Sequence, residues 1–247
     1  MAAPEAGRRG DAGGGHAVNS LSSTLHWLTD PAQWRGATGI ATRIAQHLEY
    51  SAVTVVIAAA IALPIGIAIG HYRRGGVIVP FTGALRALPT LGLLAVLALA
   101  VGIGILAPMI ALVIMALPPV LAGAYSGVEA VDPTTVDAAR ASGFTEWQVV
   151  WRVELPLALP LLVGGIRAAS LQVIATWTAA AFLPVGGLGR FLIDGLATRD
   201  YAQMLGGSVI VIVLALVIDG VVAFIQRRVT PTGVRLRQRS GSASLAV

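Results

Sequence analysis

Few residues of this chain are equipped for chemistry. It has no cysteine, and all seventeen of its basic residues are arginine. Thiol chemistry, zinc–thiolate ligation, a phosphate-loop lysine and Schiff-base chemistry are therefore excluded. The four histidines, His16, His26, His47 and His71, never pair at metal-ligand spacing. No nucleophile–base constellation and no dinucleotide fingerprint is present. Gly186-Gly187-Leu188-Gly189 is glycine-rich, but it follows an apolar run and lacks the strand–helix context of a phosphate loop. The sequence predicts no catalytic residue, no metal site and no cofactor held by the chain itself.

Two ionisable residues do stand in unusual places. Arg167 and Asp219 lie inside long apolar runs. Such groups usually face a bundle interior and have a partner, which makes both candidates for a gate or a contact inside a membrane. The simpler expectation for Arg167 is that it sits near one end of a long helix and reaches water. Trp177, also in an apolar run, is a third candidate for such a contact.

The most informative stretch is 128–156, VEAVDPTTVDAARASGFTEWQVVWRVELP. Asp132 before Pro133 reads as an N-cap with proline at the first helical position. A short helix follows, and Gly143 is placed to end it. Thr145-Glu-Trp-Gln148 reads as a capping box opening a second short helix. Trp147, Val150 and Trp151 share a face there. Pro156 is expected to open the next long helix. Asp137-Ala138-Ala139 offers little side-chain bulk, so another protein could approach its backbone closely. The aromatic face could fill a partner's groove or rest on its own bundle, and the residues alone leave both open.

The elements that must carry this segment are apolar. Hydrophobic residues make up 56% of the 247 and charged residues 12%, about half the usual share for a soluble domain. Spanning a bilayer core takes about 20 apolar residues. Five runs qualify, near 51–70, 87–104, 106–125, 157–183 and 206–225. The expected fold is an all-α polytopic bundle of about five spans. Residues 1–31 are expected to be a disordered tail, with no signal-peptide apolar core. Residues 32–228 form the membrane domain, with a helix over 32–48 either at the interface or packed on the soluble side. Residues 229–247 form a basic tail. Prolines 64, 89, 118, 119 and 160 fall in or beside spans, where neighbouring groups must satisfy the freed backbone.

The arginines sort by side. Arg73, Arg74, Arg140, Arg152 and the five after residue 226 share one side of a five-span bundle. The positive-inside rule puts that side, the 128–156 loop and the C-terminus in the cytoplasm and the N-terminus outside. The net charge of +5 therefore reads as a topology signal in a lipid bilayer, with no nucleic acid as partner.

The 128–156 segment resembles the cytoplasmic loop of permease subunits of binding-protein-dependent ABC importers. That family's pattern is Glu-Ala-Ala, three residues, Gly, nine residues, Ile, any residue, Leu-Pro. This chain has Asp137-Ala138-Ala139, Gly143, then Val153, Glu154, Leu155 and Pro156 at the same spacing, with Asp for Glu and Val for Ile. The resemblance covers most of residues 40–225. It implies that 133–156 docks on a separate ATPase, with Asp137, Ala138, Ala139, Gly143, Trp147, Val153, Leu155 and Pro156 as the coupling residues. It also implies partners: a dimer of ATPase subunits that binds the ATP, a second permease subunit, identical or paralogous, and an extracytoplasmic substrate-binding protein.

Arg86-Ala-Leu-Pro89-Thr, Pro160-Leu-Leu-Val-Gly-Gly-Ile-Arg167 and Gly186–Gly189 further resemble the subfamily that imports glycine betaine, choline, carnitine or proline betaine. Its usual Gly-Ala-Gly-Gly-Leu-Gly is altered here by Pro184-Val185. Other methylated amines such as ergothioneine are the alternative cargo. A secondary transporter would need acidic coupling-ion sites within spans and often a repeat. Asp219 is the single candidate for that role.

Overall fold

The computed structural model describes residues 12–74, 84–85 and 87–229. Among these, all regular structure is helical. Helix α1 spans Ala12–Thr29, α2 Ile40–His71, α3 Thr90–Val101 and α4 Leu106–Glu129. Helix α5 spans Pro133–Ala141, and α6, Glu146–Val149, runs through a π turn at Val150–Glu154 into α7, Leu155–Ala180. Helices α8, Gly189–Thr198, and α9, Tyr201–Val229, follow. Four helical segments, Ile40–His71, Leu106–Glu129, Glu146–Ala180 and Tyr201–Val229, are long and apolar enough to cross a membrane. Helix α3 stands where the second span is expected but has 12 residues. At 1.5 Å per residue it covers about 18 Å, less than the hydrocarbon thickness. Gly102, at φ +89°, ends it.

Helix α4 is the centre of the bundle. Its buried side packs against α2 on one flank and α7 on the other. Both contacts rest on small residues. The buried stripe of α2 includes Ser51, Thr54, Ala58, Ala62, Gly66 and Gly70. A side chain at Gly66 would stand 2.6 Å from the Ala124 methyl. One at Gly123 would stand 2.7 Å from the Gly165 Cα of α7. Backbones this close gain van der Waals contact, the main attraction between helices in lipid. Pro119 has no N–H for the Met115 carbonyl one turn earlier. Gln172 Nε2 of α7 donates to that carbonyl instead, at 3.3 Å.

Three sequence expectations are corrected. Residues 12–29, expected within a disordered tail, form α1. Trp27 is buried, meets Phe191 edge-on at a centroid distance of 5.2 Å, and lies over Gly206. A large aromatic ring buried against two distant elements supplies the gain that local composition lacked. Residues 1–11 and 230–247, including nearly all of the basic tail, lie outside the described residues, as does Arg86.

No separate helix covers 32–48. A short 3-10 turn, Pro31–Trp34, precedes α2, which begins at Ile40 and continues unbroken through the first span to His71. The 40–48 part is anchored by Gln46 and His47. Gln46 Oε1 accepts from the Gly187 N–H at 3.1 Å, and His47 Nδ1 from the Leu188 N–H at 3.3 Å. His47 Nε2 donates to the Ile174 carbonyl at 3.0 Å. The glycine-rich Gly186–Gly189 turn is thus a clamp between spans.

Pro156 lies in the first turn of α7, as expected, but no break separates that helix from the one before it. The second short helix runs into α7 through the π turn, in which the Leu155 N–H reaches back five residues to the Val150 carbonyl. The wide turn shifts the hydrogen-bond register just before a residue that cannot donate.

Candidate functional site

The 130–156 segment is built as the sequence suggests. Asp132 caps α5 through the Thr134 N–H at 2.9 Å, with Pro133 in its first turn. The helix stops at Ser142, and Gly143 turns the chain at φ +86° with open space around it. Thr145 and Gln148 form both halves of the capping box at α6. A small apolar core of Val131, Val136 and Val149, flanked by Ala139 and Phe144, holds the two short helices together. The unit is thus a bent pair with its own core.

Asp137 and Ala138 face outward, while Ala139 is half-buried against that core. Trp147 is 70% and Trp151 54% exposed, with ring centroids 5.2 Å apart. Together with Val150 and Leu155 they line one side of a groove of about 780 Å³. The α2 residues Ala60, Leu63 and Pro64 line the other side. Val153, Leu155 and Pro156 are half-buried at the join to α7.

A chain of charged groups joins this unit to the spans. Arg140 donates from Nε and Nη2 to the two oxygens of Glu146, both at 3.0 Å, and from Nη1 to Asp137 at 3.3 Å. The Glu146 hydrogen bond, with Asp137 adding to it, holds the exposed Arg140 guanidinium above its ordinary range. Glu146 in turn lies 3.2 Å from His71 Nε2, at the last residue of α2. His71 Nδ1 lies 2.7 Å from Glu154, which is 4% exposed. Arg73, in a left-handed conformation just beyond, donates to the Val131 carbonyl at 3.0 Å. Sequence reasoning left His71 among scattered histidines and passed over Arg140, Glu146 and Glu154. The one available signal was a histidine closing an apolar span.

The other candidates lie elsewhere. Arg167 does not reach water alone. It forms a two-pronged ion pair with Asp219, α7 to α9, at 2.6 and 2.7 Å. An arginine in an apolar run finds its gain in a fixed carboxylate rather than in distant solvent. Trp177 is 1% exposed, donates to Thr54 at 3.2 Å and packs on Tyr50 at 5.2 Å. It is a contact between α7 and α2, at the opposite end of α7 from the bent helical pair. Among the described residues no cluster of three or more histidines, cysteines or carboxylates could hold a metal ion.

The chain's residues 62–231 match the family described as the inner membrane component of binding-protein-dependent transport systems. The chain belongs to that family. This importer-type permease is a multi-pass inner-membrane protein and a transport subunit rather than an enzyme. It is 33% identical over 191 residues to a glycine betaine/carnitine/choline transport system permease protein of Bacillus subtilis, covering 77% of this chain and 88% of the relative. A carnitine transport permease protein of Listeria monocytogenes is 34% identical over 197 residues, 79% of this chain and 90% of the relative. An osmoprotectant import permease protein of Salmonella typhimurium is 31% identical over 220 residues, covering 86% and 99%. The permease fold is shared with an inward-facing methionine ABC transporter. That structure superposes with a TM-score of 0.66 at 23% identity, over 84% of this chain and 98% of the other.

Proposed function

We propose that this permease carries a quaternary-ammonium osmoprotectant, such as glycine betaine, choline, carnitine or proline betaine, inward across the plasma membrane at the expense of ATP hydrolysed by a separate subunit. The relatives' names support the substrate class. The observation that carries the mechanism is the bent pair α5–α6. It has its own core, an outward face of Asp137 and Ala138 free of bulk, and two exposed tryptophans beside it. A rigid unit with such a surface suits docking into a partner's groove, where apolar rings supply affinity and small residues allow close approach.

In this reading two permease subunits pair, each bent helical pair sits on one ATPase, and a substrate-binding protein delivers cargo outside. ATP binding draws the ATPases together. The motion passes as a rigid-body shift through Glu146–Ala180, which joins the docking unit to a membrane-crossing helix without a break. The α5–α6 unit and the C-terminus face the cytoplasm and the N-terminus faces outside, following the arginine distribution.

The test is reconstitution of the permease with its ATPase and binding protein in liposomes, with labelled glycine betaine, choline and carnitine offered in turn. ATP-dependent uptake of at least one is expected. Uptake that proceeds without the ATPase and follows an ion gradient would reject the reading.

A further inference from the structure

His71 is the last residue of the first long apolar helix, yet both its ring nitrogens are taken by the far segment. Nδ1 lies 2.7 Å from Glu154 and Nε2 3.2 Å from Glu146. Its side chain is 6% exposed, and that of Glu154 5%. A neutral imidazole has one N–H donor and one lone pair, so it can serve one carboxylate and must point its lone pair at the other. An imidazole carrying both protons serves both. From the remaining elements at this corner, Tyr72 meets the His71 ring edge-on at 5.0 Å, and Arg140 stands behind Glu146 with two hydrogen bonds. Tyr125 and Val128 of α4 pack on the preceding turn at Gly70, and Arg73 turns away to the Val131 carbonyl.

We infer that His71 is a positioning residue for energy coupling: through its two ring nitrogens it ties the inner end of the first span to Glu146 on the docking unit and to Glu154 at the foot of α7. The inference rests on the reading of α5–α6 as the ATPase-docking unit. Its physical content is that the docking unit is fastened to three membrane helices. Two links, to α4 and α7, are continuous backbone. The third, to α2, is this bridge together with the Arg73 hydrogen bond. The His71–Glu154 half is buried and is a strong, directional link, while the Glu146 half is open to solvent on the carboxylate side. Without the bridge, movement of the docking unit would reach α4 and α7 while α2 lagged.

The experiment compares wild type, H71Q, H71R and E146Q in the full complex reconstituted in liposomes. Cargo moved per ATP hydrolysed is measured, with recovery of intact complex checked by size exclusion. In H71Q the ratio should fall by about fivefold or more, the lower end of a typical coupling free energy. H71R, whose charged fork offers donors to both carboxylates, should restore the ratio toward wild type. E146Q changes an exposed side chain, so it should assemble normally and lower the ratio while ATP hydrolysis continues. An H71Q complex with the wild-type ratio overturns the inference. So does an E146Q complex indistinguishable from wild type, which decides the matter if H71Q fails to assemble. Failure of the docking reading looks different: wild type itself would recover no ATPase, or its hydrolysis would be unlinked to uptake, and the inference would fall with it.

Discussion

Arg167 holds Asp219 by two hydrogen bonds, Nε at 2.6 Å and Nη2 at 2.7 Å, across two helices whose contact residues are 52 apart in sequence. Planar guanidinium and planar carboxylate meet edge to edge, the geometry that fixes orientation as well as distance. A second polar link lies two helical turns along, where Gln226 Nε2 donates to the Pro160 carbonyl at 2.8 Å. Helix α9 buries only Gly206 and Gly207 among its residues, so its registry on α7 depends on such links.

Removing one partner should therefore harm more than removing both. R167A leaves a carboxylate without its cation in an apolar surrounding, and D219A leaves the reverse. Each should lower the yield of folded permease in detergent several-fold. The R167L/D219L pair should recover most of it, since neither charge is then stranded. Yield and melting by size-exclusion chromatography are the measurements.

The crossing of α4 and α7 permits no side chain at its centre. A Cβ on Gly165 would meet the Pro119 carbonyl oxygen at 2.6 Å and the Gly123 Cα at 2.9 Å, both backbone atoms that cannot swing aside. Gly165→Leu should cost about 3 kcal/mol or more, at the upper end for overpacking, and prevent stable insertion. Gly164→Ala, beside it with only Gln226 Nε2 at 3.5 Å, should be tolerated. Thermal melting of the purified variants separates the two.

Gly143 is constrained by dihedral rather than by space. Its φ is +86°, and no atom lies within 4 Å of where a Cβ would stand. Gly143→Ala should cost about 1–2 kcal/mol of local strain, and Gly143→Asp should add a charge at the corner. Both should insert normally, but the aspartate variant should hydrolyse ATP with little uptake. Normal transport by Gly143→Asp would reject the docking role of the corner.

The two tryptophans lend themselves to a test that separates binding from folding. Trp147 and Trp151 are largely exposed, so alanine at either should move stability by no more than about 0.5 kcal/mol. If they enter the ATPase groove, each should weaken ATPase association by about tenfold or more, as buried aromatic anchors do. Affinity measured in detergent or nanodiscs checks this.

The cap at Thr145 concerns local order. Its hydroxyl accepts from the Gln148 N–H at 3.4 Å, and Gln148 Oε1 accepts from the Thr145 N–H at 3.0 Å. Thr145→Ala should loosen α6 by about 1 kcal/mol. Hydrogen exchange should rise at 145–149 and leave α4 unchanged.

Local grammar was legible along the chain. The Asp132-Pro133 start, the Gly143 stop and the Thr145–Gln148 box are short-range signals, each completed within four residues, and each forms as read. The long apolar runs were equally plain, because crossing a bilayer demands length and composition and little else. Spacing in the Asp137–Pro156 pattern likewise pointed to the family.

What sequence could not reveal were relations between residues far apart in the chain. Nothing near His71 announces Glu154, 83 residues away, and nothing near Trp27 announces Phe191. An apolar run can tell that Arg167 is costly in lipid but not which carboxylate relieves it. The sequence alone determined helices, caps, the bent pair and the membrane, since those follow from neighbours and from solvent. Tertiary structure decided the pairings. A bridge such as Glu146–His71–Glu154 exists only after three segments have packed, when distance through space replaces distance along the chain.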